Sequence, residues 1–564
     1  MCVACSPAGI GIARAVAGPA LARVPILRTP DQAGGGGGPA VIVHGGPILT
    51  MSAPASVEAL AIRHGRIVAT GTLDEVSTRC GPATEHVDLE GRAALPGFVE
   101  PHVHVAFSAL AQYAWLDVSP LAAATKGEAL AMIEQSARTA PAGQWVAAFG
   151  YDPSRLPDHA QLDADDLDRV AGDRPVLVVN QSGHIGYVNR AALAAAGIDD
   201  ATPDPPAGTY VRDGAGRLTG VLFEGTALAP FAAHLPHPSP QELLTMARDT
   251  LTRWARKGCT TVYDAGVGII AGEGDLSLIR ALTAEPACPM RITGALIPEL
   301  ADQLRAQPGD DGLAGIKYWA DGSTQGFTAA VREPYLDGSG SGMLNHDEHR
   351  LHEEMRAWHE AGWQLVVHSN GDRATEQVLS VYDAILGAAP RRHRHRIEHF
   401  TVTSDDQLAH AARLGLSVSQ TIGHVHYWGA SFRDHVLGPE RAGRIDPLAD
   451  DERHGLSFSL HSDSPVTPVD PLLYVRTAVT RLVRGSGEVL GPEQRVSLDS
   501  ALRAVTIEAA RHALVDDRAG SLEPGKQADL VVLDRDPRTV APEHLHELEV
   551  VETWLGGYRR RWQD

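Results

Sequence analysis

The stretch LPGFVEPHVHV, residues 95–105, leads an apolar run through a proline and a glycine to two histidines one residue apart, His102 and His104. In a strand, residues i and i+2 share a face. Val99, Val103 and Val105 fit a buried strand whose end presents both imidazoles on one side. Two converging imidazoles form a metal-binding pattern, but one HxH in a chain with 26 histidines decides nothing alone. The remaining ligands have to come from elsewhere.

Short apolar runs of the same kind recur at VLVVN (176–180), TTVYDAG (260–266), AGIKYWADG (314–322), QLVVHSNGD (364–372), RIEHF (396–400), LSVSQT (416–421) and LSFSLHSD (456–463). With the opening stretch they make eight. Helical patterns separate most of them, as in PQELLTMARDTLTRWARKG (240–258) and TEQVLSVYDAILGAA (375–389). Eight strands alternating with helices predict an α/β fold, a (β/α)8 barrel of the TIM type, over residues 97–517. An open doubly wound sheet is the alternative, but no GxGxxG follows a strand. Two long connections, 107–174 and 185–255, are expected as insertions above the carboxyl ends of the strands, where barrel sites sit.

Residues 40–96 and 518–564 have a different character, with alternating short strands and turns in VIVHGGPILT, VEALAIRHGRIVATG and, at the other end, GSLEPGKQADLVVLD. Strands from both segments are expected to pair in one small β-sandwich. Residues 1–39, ending in the GGGGGP run at 34–39, read as an appendage and flexible linker. That segment is too broken by Arg14 and Arg23 for a transmembrane helix, and it lacks signal-peptide order.

The bulk numbers exclude some classes. Net charge is −21, with 49 Lys and Arg against 70 Asp and Glu, which argues against nucleic-acid or anionic-membrane partners. Five scattered cysteines do not make a disulfide framework, and Cys2 and Cys5 have no second pair to complete a zinc ribbon. A cytoplasmic protein acting on a small molecule is expected; a homodimer would be ordinary for an enzyme of this size.

With the strands numbered, their carboxyl ends carry His102 and His104 on the first, Lys317 on the fourth, His368 on the fifth, His399 on the sixth and Asp463 on the eighth. This ordered set resembles the metal-dependent amidohydrolase superfamily. IKYWADGSTQGFTAA, VHSNGD and IEHF are similar to its YtcJ-like branch, which includes N-substituted formamide deformylases; the resemblance covers about residues 41–560. It implies a barrel flanked by a sandwich built from both chain ends.

Neutral imidazoles and carboxylates suit Zn²⁺. In a two-metal version, His102, His104 and Asp463 would hold the more buried ion, and His368 and His399 the other. An ordinary ammonium beside two dications is electrostatically excluded, so Lys317 would be deprotonated or converted by CO₂ to a carbamate that bridges both ions, the form the resemblance implies; a substrate or surface contact is the other reading. Glu224, in GRLTGVLFEG, is a rival bridge, a support for a ligand, or a substrate contact. His184, in NQSGHIGYVNR just past the second strand, is expected to contact substrate or the transition state.

Asp463 would act as general base and then acid, and water activated by metal would attack an amide or N-formamide carbon. His184 or Tyr318 would face the developing oxyanion, although alternation points Tyr318 away from Lys317. Trp319, on the Lys317 face, is the expected pocket wall. Tyr113, Trp115, Trp145, Tyr151 and Tyr187 in the insertions are either pocket lining or packing.

Alternatives remain within the enzyme class: a single-metal deaminase, or an ester, lactone or cyclic-amide hydrolase. A non-catalytic binding barrel is remote, because all six ligand positions are occupied. A serine hydrolase lacks its GxSxG elbow.

Overall fold

The computed structural model describes residues 40–80, 84–205, 208–235 and 238–562. The appendage, linker and Cys2–Cys5 pair expected within residues 1–39 lie outside these.

Eight parallel strands form one sheet, in the order Phe98–Val103, Cys259–Val267, Arg291–Leu296, Leu313–Trp319, Gln364–Ser369, Arg396–His399, Ser417–Gln420 and Ser457–Leu460. A parallel bridge between Val103 and Ser464 brings the last strand back to the first and closes the barrel. At the amino end, Ala509, Ala510 and Ala513 around the helix Ile507–His512 pack against Val99, Tyr263 and Val366. That end is plugged by apolar contact, which leaves the carboxyl ends for the site.

Two expectations need correction. Val176–Asn180 is not a barrel strand: it pairs parallel with Val146–Tyr151 in a separate six-stranded sheet. Both strands are buried along their length and Val176–Asn180 follows a helix, the same pattern a barrel strand shows. The true third strand, Arg291–Leu296, carries Arg291, Thr293 and Gly294 and makes a poor apolar run. Its small residues have a packing reason, since a Cβ on Gly294 would come 2.3 Å from the Asp264 carbonyl oxygen. The errors offset each other, so Lys317 remains on the fourth strand.

It follows that 107–174 and 185–255 are not two insertions. The chain between the first two barrel strands forms one body, whose sheet runs Thr209–Arg212, Leu218–Phe223, Ile185–Val188, Val176–Asn180, Val146–Tyr151 and Leu116–Asp117. It has its own core of Leu130, Ile133, Val146, Leu167, Val178 and Tyr187.

The flanking sandwich has a four-stranded and a six-stranded sheet. Leu530–Leu533 pairs antiparallel with Ala93–Pro96, joining the two segments in one sheet. Val43, Leu60, Ile62, Ile67, Leu530 and Trp554 fill the space between the sheets. Most of its pairings are antiparallel, but Val41–His44 pairs parallel with Glu85–Asp88.

Candidate metal centre

His102 lies at the end of the first barrel strand, and His104 caps the helix Val105–Tyr113 that follows. Across the barrel seam, Asp463 follows the eighth strand with φ 56°, a left-handed conformation that needs support from its surroundings. The result is convergence: His102 Nε2 and His104 Nε2 stand 3.3 and 3.2 Å from Asp463 Oδ1. That oxygen is buried and accepts no well-aligned hydrogen bond among the described residues. Burial would raise the Asp463 pKa, but the neighbouring imidazoles, His102 foremost, outweigh it and hold the carboxyl well below its usual range. A carboxylate facing two imidazole nitrogens, with no proton between them fitting well, is a donor set that fits a divalent cation.

The other predicted residues are drawn to the same mouth. His399 Nε2 is 4.0 Å from Asp463 Oδ2, and its ring lies 5.0 Å from that of His102. His368 is 4.5 Å from His399, ring to ring, and its Nε2 is within 2.9 Å of the Gly322 carbonyl. Lys317 is only 1% exposed. Its Nζ lies 3.4 Å from His102 Nε2 and 4.9 Å from the centre of the Trp319 ring, with no carboxylate at ion-pair distance among the described residues. Trp319 thus shares the wall with Lys317, and its buried indole Nε1 has no acceptor among the described residues.

Tyr318 does not belong to the site. Strand alternation turns it outward, edge-on to His346 at 6.3 Å and toward Glu354 on the helix Glu348–Glu360. Burial, with Glu354 and Glu299 nearby, pushes its phenol pKa up. The insertion aromatics are packing: Tyr151 and Tyr187 meet edge-to-face at 5.7 Å, and Trp145 stacks on His234.

His184 and Glu224 reach the site from the insertion rather than from the barrel. Ile185 pairs with Phe223 in an antiparallel ladder, so the residues just beyond, His184 and Glu224, fall side by side. The Glu224 amide donates to the His184 carbonyl at 2.7 Å, and His184 Nδ1 lies 3.2 Å from Glu224 Oε2. The His184 ring is 6.0 Å from that of His368. Burial holds the pKa of His184 well below the ordinary histidine value, and does the same for His399.

Two clamps press the insertion on the barrel rim. Trp428 Nε1 donates to Asp152 Oδ2 at 2.6 Å, and Gln181 Nε2 donates to the Val466 carbonyl at 2.8 Å. Arg155 lies over Trp428 at 5.1 Å and donates to Gln181 Oε1.

Three buried residues at the centre escaped sequence reasoning. Glu398 touches His102 Nδ1 and is held by Arg396, whose Nε lies 2.6 Å from Glu398 Oε1. His461 stacks on His399 at 5.2 Å and shares the Thr421 hydroxyl with it. Alternation could have found His461, two residues before Asp463 in LHSD. Glu398 was hidden because it directly precedes His399, and alternation allows only one of them inside. A left-handed φ of 68° at His399 breaks that rule and brings both to His102. Burial raises the pKa of Glu398, but Arg396 and His102 more than reverse this and keep it strongly ionised.

A closed eight-stranded barrel whose mouth gathers imidazoles and a carboxylate is the framework of a metal-binding hydrolase. Residues 85–559 match the Amidohydrolase family, and the chain belongs to it. It is 31% identical over 541 residues to YtcJ of Bacillus subtilis (strain 168), covering 92% of this chain and 98% of that protein. It is 29% identical over 518 residues to the N-substituted formamide deformylase of Arthrobacter pascens, covering 89% and 94%. Among solved structures, an uncharacterized metal-dependent hydrolase from Pyrococcus horikoshii OT3 has the same fold, with a TM-score of 0.70, 24% identity, and coverage of 90% of this chain and 99% of that one. No helix among the described residues is long and apolar enough to cross a membrane.

Proposed function

We propose that the protein is a metal-dependent hydrolase cleaving the C–N bond of a small-molecule amide, with N-substituted formamides as the first class to test. The observation that carries this is the approach of His102 Nε2 and His104 Nε2 to Asp463 Oδ1, a buried oxygen that accepts no well-aligned hydrogen bond among the described residues. The deformylase relative supports the bond type.

His102, His104 and Asp463 would hold one divalent ion, with zinc the best match to two imidazoles and a carboxylate. His399 and His368 would hold a second, with Lys317 converted to a carbamate between them. A divalent ion there supplies Lewis acidity, polarising a carbonyl and lowering the pKa of water.

The residues do the rest. Asp463 takes a proton from the attacking water and returns it to the leaving nitrogen. Glu224 on Nδ1 of a neutral His184 leaves Nε2 without a proton, so His184 receives a hydrogen bond or proton from the substrate. That differs from an oxyanion donor, which needs a proton at Nε2. Trp319 offers at the pocket wall an N–H that has no acceptor among the described residues.

A single-ion centre is the second reading, and one observation favours it. Around Asp463, among the described residues, only His102 and His104 bring ligand atoms within 4.8 Å of it and of one another. A mononuclear deaminase, or an ester, lactone or cyclic-amide hydrolase, would follow.

Metal content per chain, measured on protein purified without chelator and on Lys317→Ala, separates these readings. Two equivalents falling to one or fewer in the variant support the bridged pair, and a panel of N-formyl and other amides should then be hydrolysed. One equivalent in both proteins removes the bridge and moves deaminase substrates to the front. No divalent ion in either, even after loading, overturns the metal assignment.

A further inference from the structure

We propose that Glu398, clamped by Arg396, is a positioning residue that locks His102 in the form able to hold a metal ion, so that the His102 side of the centre binds its ion more tightly than the His399 side. This rests on His102 being a metal ligand, as argued above.

An imidazole nitrogen against a carboxylate carries the proton. Glu398 Oε2 on His102 Nδ1 therefore leaves the lone pair on Nε2, the atom facing Asp463 Oδ1 at 3.3 Å and Lys317 Nζ at 3.4 Å. The carboxylate is ion-paired on its other side. Its Oε1 lies 2.6 Å from Arg396 Nε, a close charge contact without hydrogen-bond alignment, and Arg396 Nη2 donates to the Pro101 carbonyl at 2.9 Å, one residue before His102. The Tyr263 ring lies 4.3 Å from the guanidinium. Glu398, Arg396 and His102 are all fully buried, so no water competes for these contacts.

Glu398 has a rival role. Together with His102 and His461 it forms a second group whose ligand atoms lie within 4.8 Å of one another. Charge decides against a metal there. Arg396 already neutralises the carboxylate, and a dication would sit beside a buried guanidinium. His461 Nε2 is also engaged by the Thr421 hydroxyl at 2.8 Å.

The two sides of the centre differ in this support. His399 Nδ1 rests on the Thr421 hydroxyl at 2.7 Å, whereas His102 Nδ1 rests on a carboxylate whose other oxygen is paired with Arg396. A charged acceptor orients the ring more strongly and makes its other nitrogen a better donor.

The test is zinc affinity and stoichiometry of the full chain, by chelator competition, for wild type, Glu398→Gln and the paired Arg396→Met/Glu398→Met. The paired variant removes both charges together and avoids an orphaned buried arginine. At saturation both variants should hold as many ions as wild type, but the last ion to leave should bind about 10–100-fold more weakly in the paired variant. Glu398→Gln keeps a neutral acceptor and should fall between, a graded response that a merely structural role would not produce. If the paired variant does not fold, the Gln variant alone decides.

Affinity within about twofold of wild type overturns the lock. One ion fewer at saturation overturns it in favour of Glu398 as a ligand. If His102→Ala binds zinc as tightly as wild type, the metal reading itself fails, a result distinct from either.

Discussion

The barrel sheet and the insertion sheet both contain parallel strands buried along their length, yet they supply the centre in different ways. Barrel strands deliver side chains at their carboxyl ends, where closure of the sheet makes them converge: His102, Lys317, His368, His399 and Asp463 arrive from five strands and their ends. The insertion delivers His184 and Glu224 from adjacent ends of one antiparallel ladder, and Asp152 and Gln181 help hold it to the rim. Ligands built into a barrel are fixed by the fold, whereas those on a docked body are fixed by an interface. The first arrangement suits metal binding. The second suits contact with a substrate that has to enter.

That contrast can be broken by substitution. His104→Ala should remove a metal position and lower amide hydrolysis by about 10³-fold or more, roughly 4 kcal/mol of barrier, with a matching loss in bound metal. His184→Ala should cost about 10²-fold in rate while metal content stays at the wild-type value. Equal metal loss in both variants would erase the distinction.

The interface sharpens it further. Asp152→Ala deletes the acceptor for Trp428 Nε1, and a hydrogen bond to a charged group contributes about 1.5 kcal/mol. The expected result is a loss of about tenfold in kcat/KM with unchanged metal, measured by steady-state kinetics.

The barrel's closed end gives a pH-dependent comparison. Burial, with Arg396 nearby, pushes His512 down to about 3, and its nitrogens hydrogen-bond to Ser457 and Ser459. An unfolded histidine titrates near 6.5, so between about 6.5 and 3 the unfolded chain binds the extra proton. Stability from this residue is therefore complete above pH 6.5 and is lost on acidification, at up to about 1.4 kcal/mol per pH unit. His512→Gln should flatten that slope in denaturant titrations of metal-free protein. Smallest of all, Tyr318→Phe should leave activity within about twofold and stability within ~1 kcal/mol, because the phenol points outside the barrel and its contact with Trp358 is not a well-aligned hydrogen bond.

The same contrast explains what could be read from the sequence. Barrel strands ending in His102, His368, His399 and Asp463 were legible because apolar runs stop at polar residues with chemical meaning. Val176–Asn180 carried the same signal into another sheet, since a parallel strand buried on both faces looks alike wherever it sits. Arg291–Leu296 carried too little of it, because crowding around Gly294 selects small residues over apolar ones. At the centre, Glu398 was lost to a single left-handed residue. Tyr318, placed by the same alternation that correctly faced Lys317 inward, was doubtful for the reason the structure bears out.

The pairing of Leu530–Leu533 with Ala93–Pro96 has a consequence for biosynthesis. Ala93–Pro96 leads directly into the strand that carries His102, yet its antiparallel neighbour is synthesised only after all eight barrel strands. Until then Ala93–Pro96 lacks that partner, and its edge is open to pairing with another nascent chain. Such a long-range closure is slow by its nature, so completion of the sheet beside the first imidazole pair waits on Leu530–Leu533.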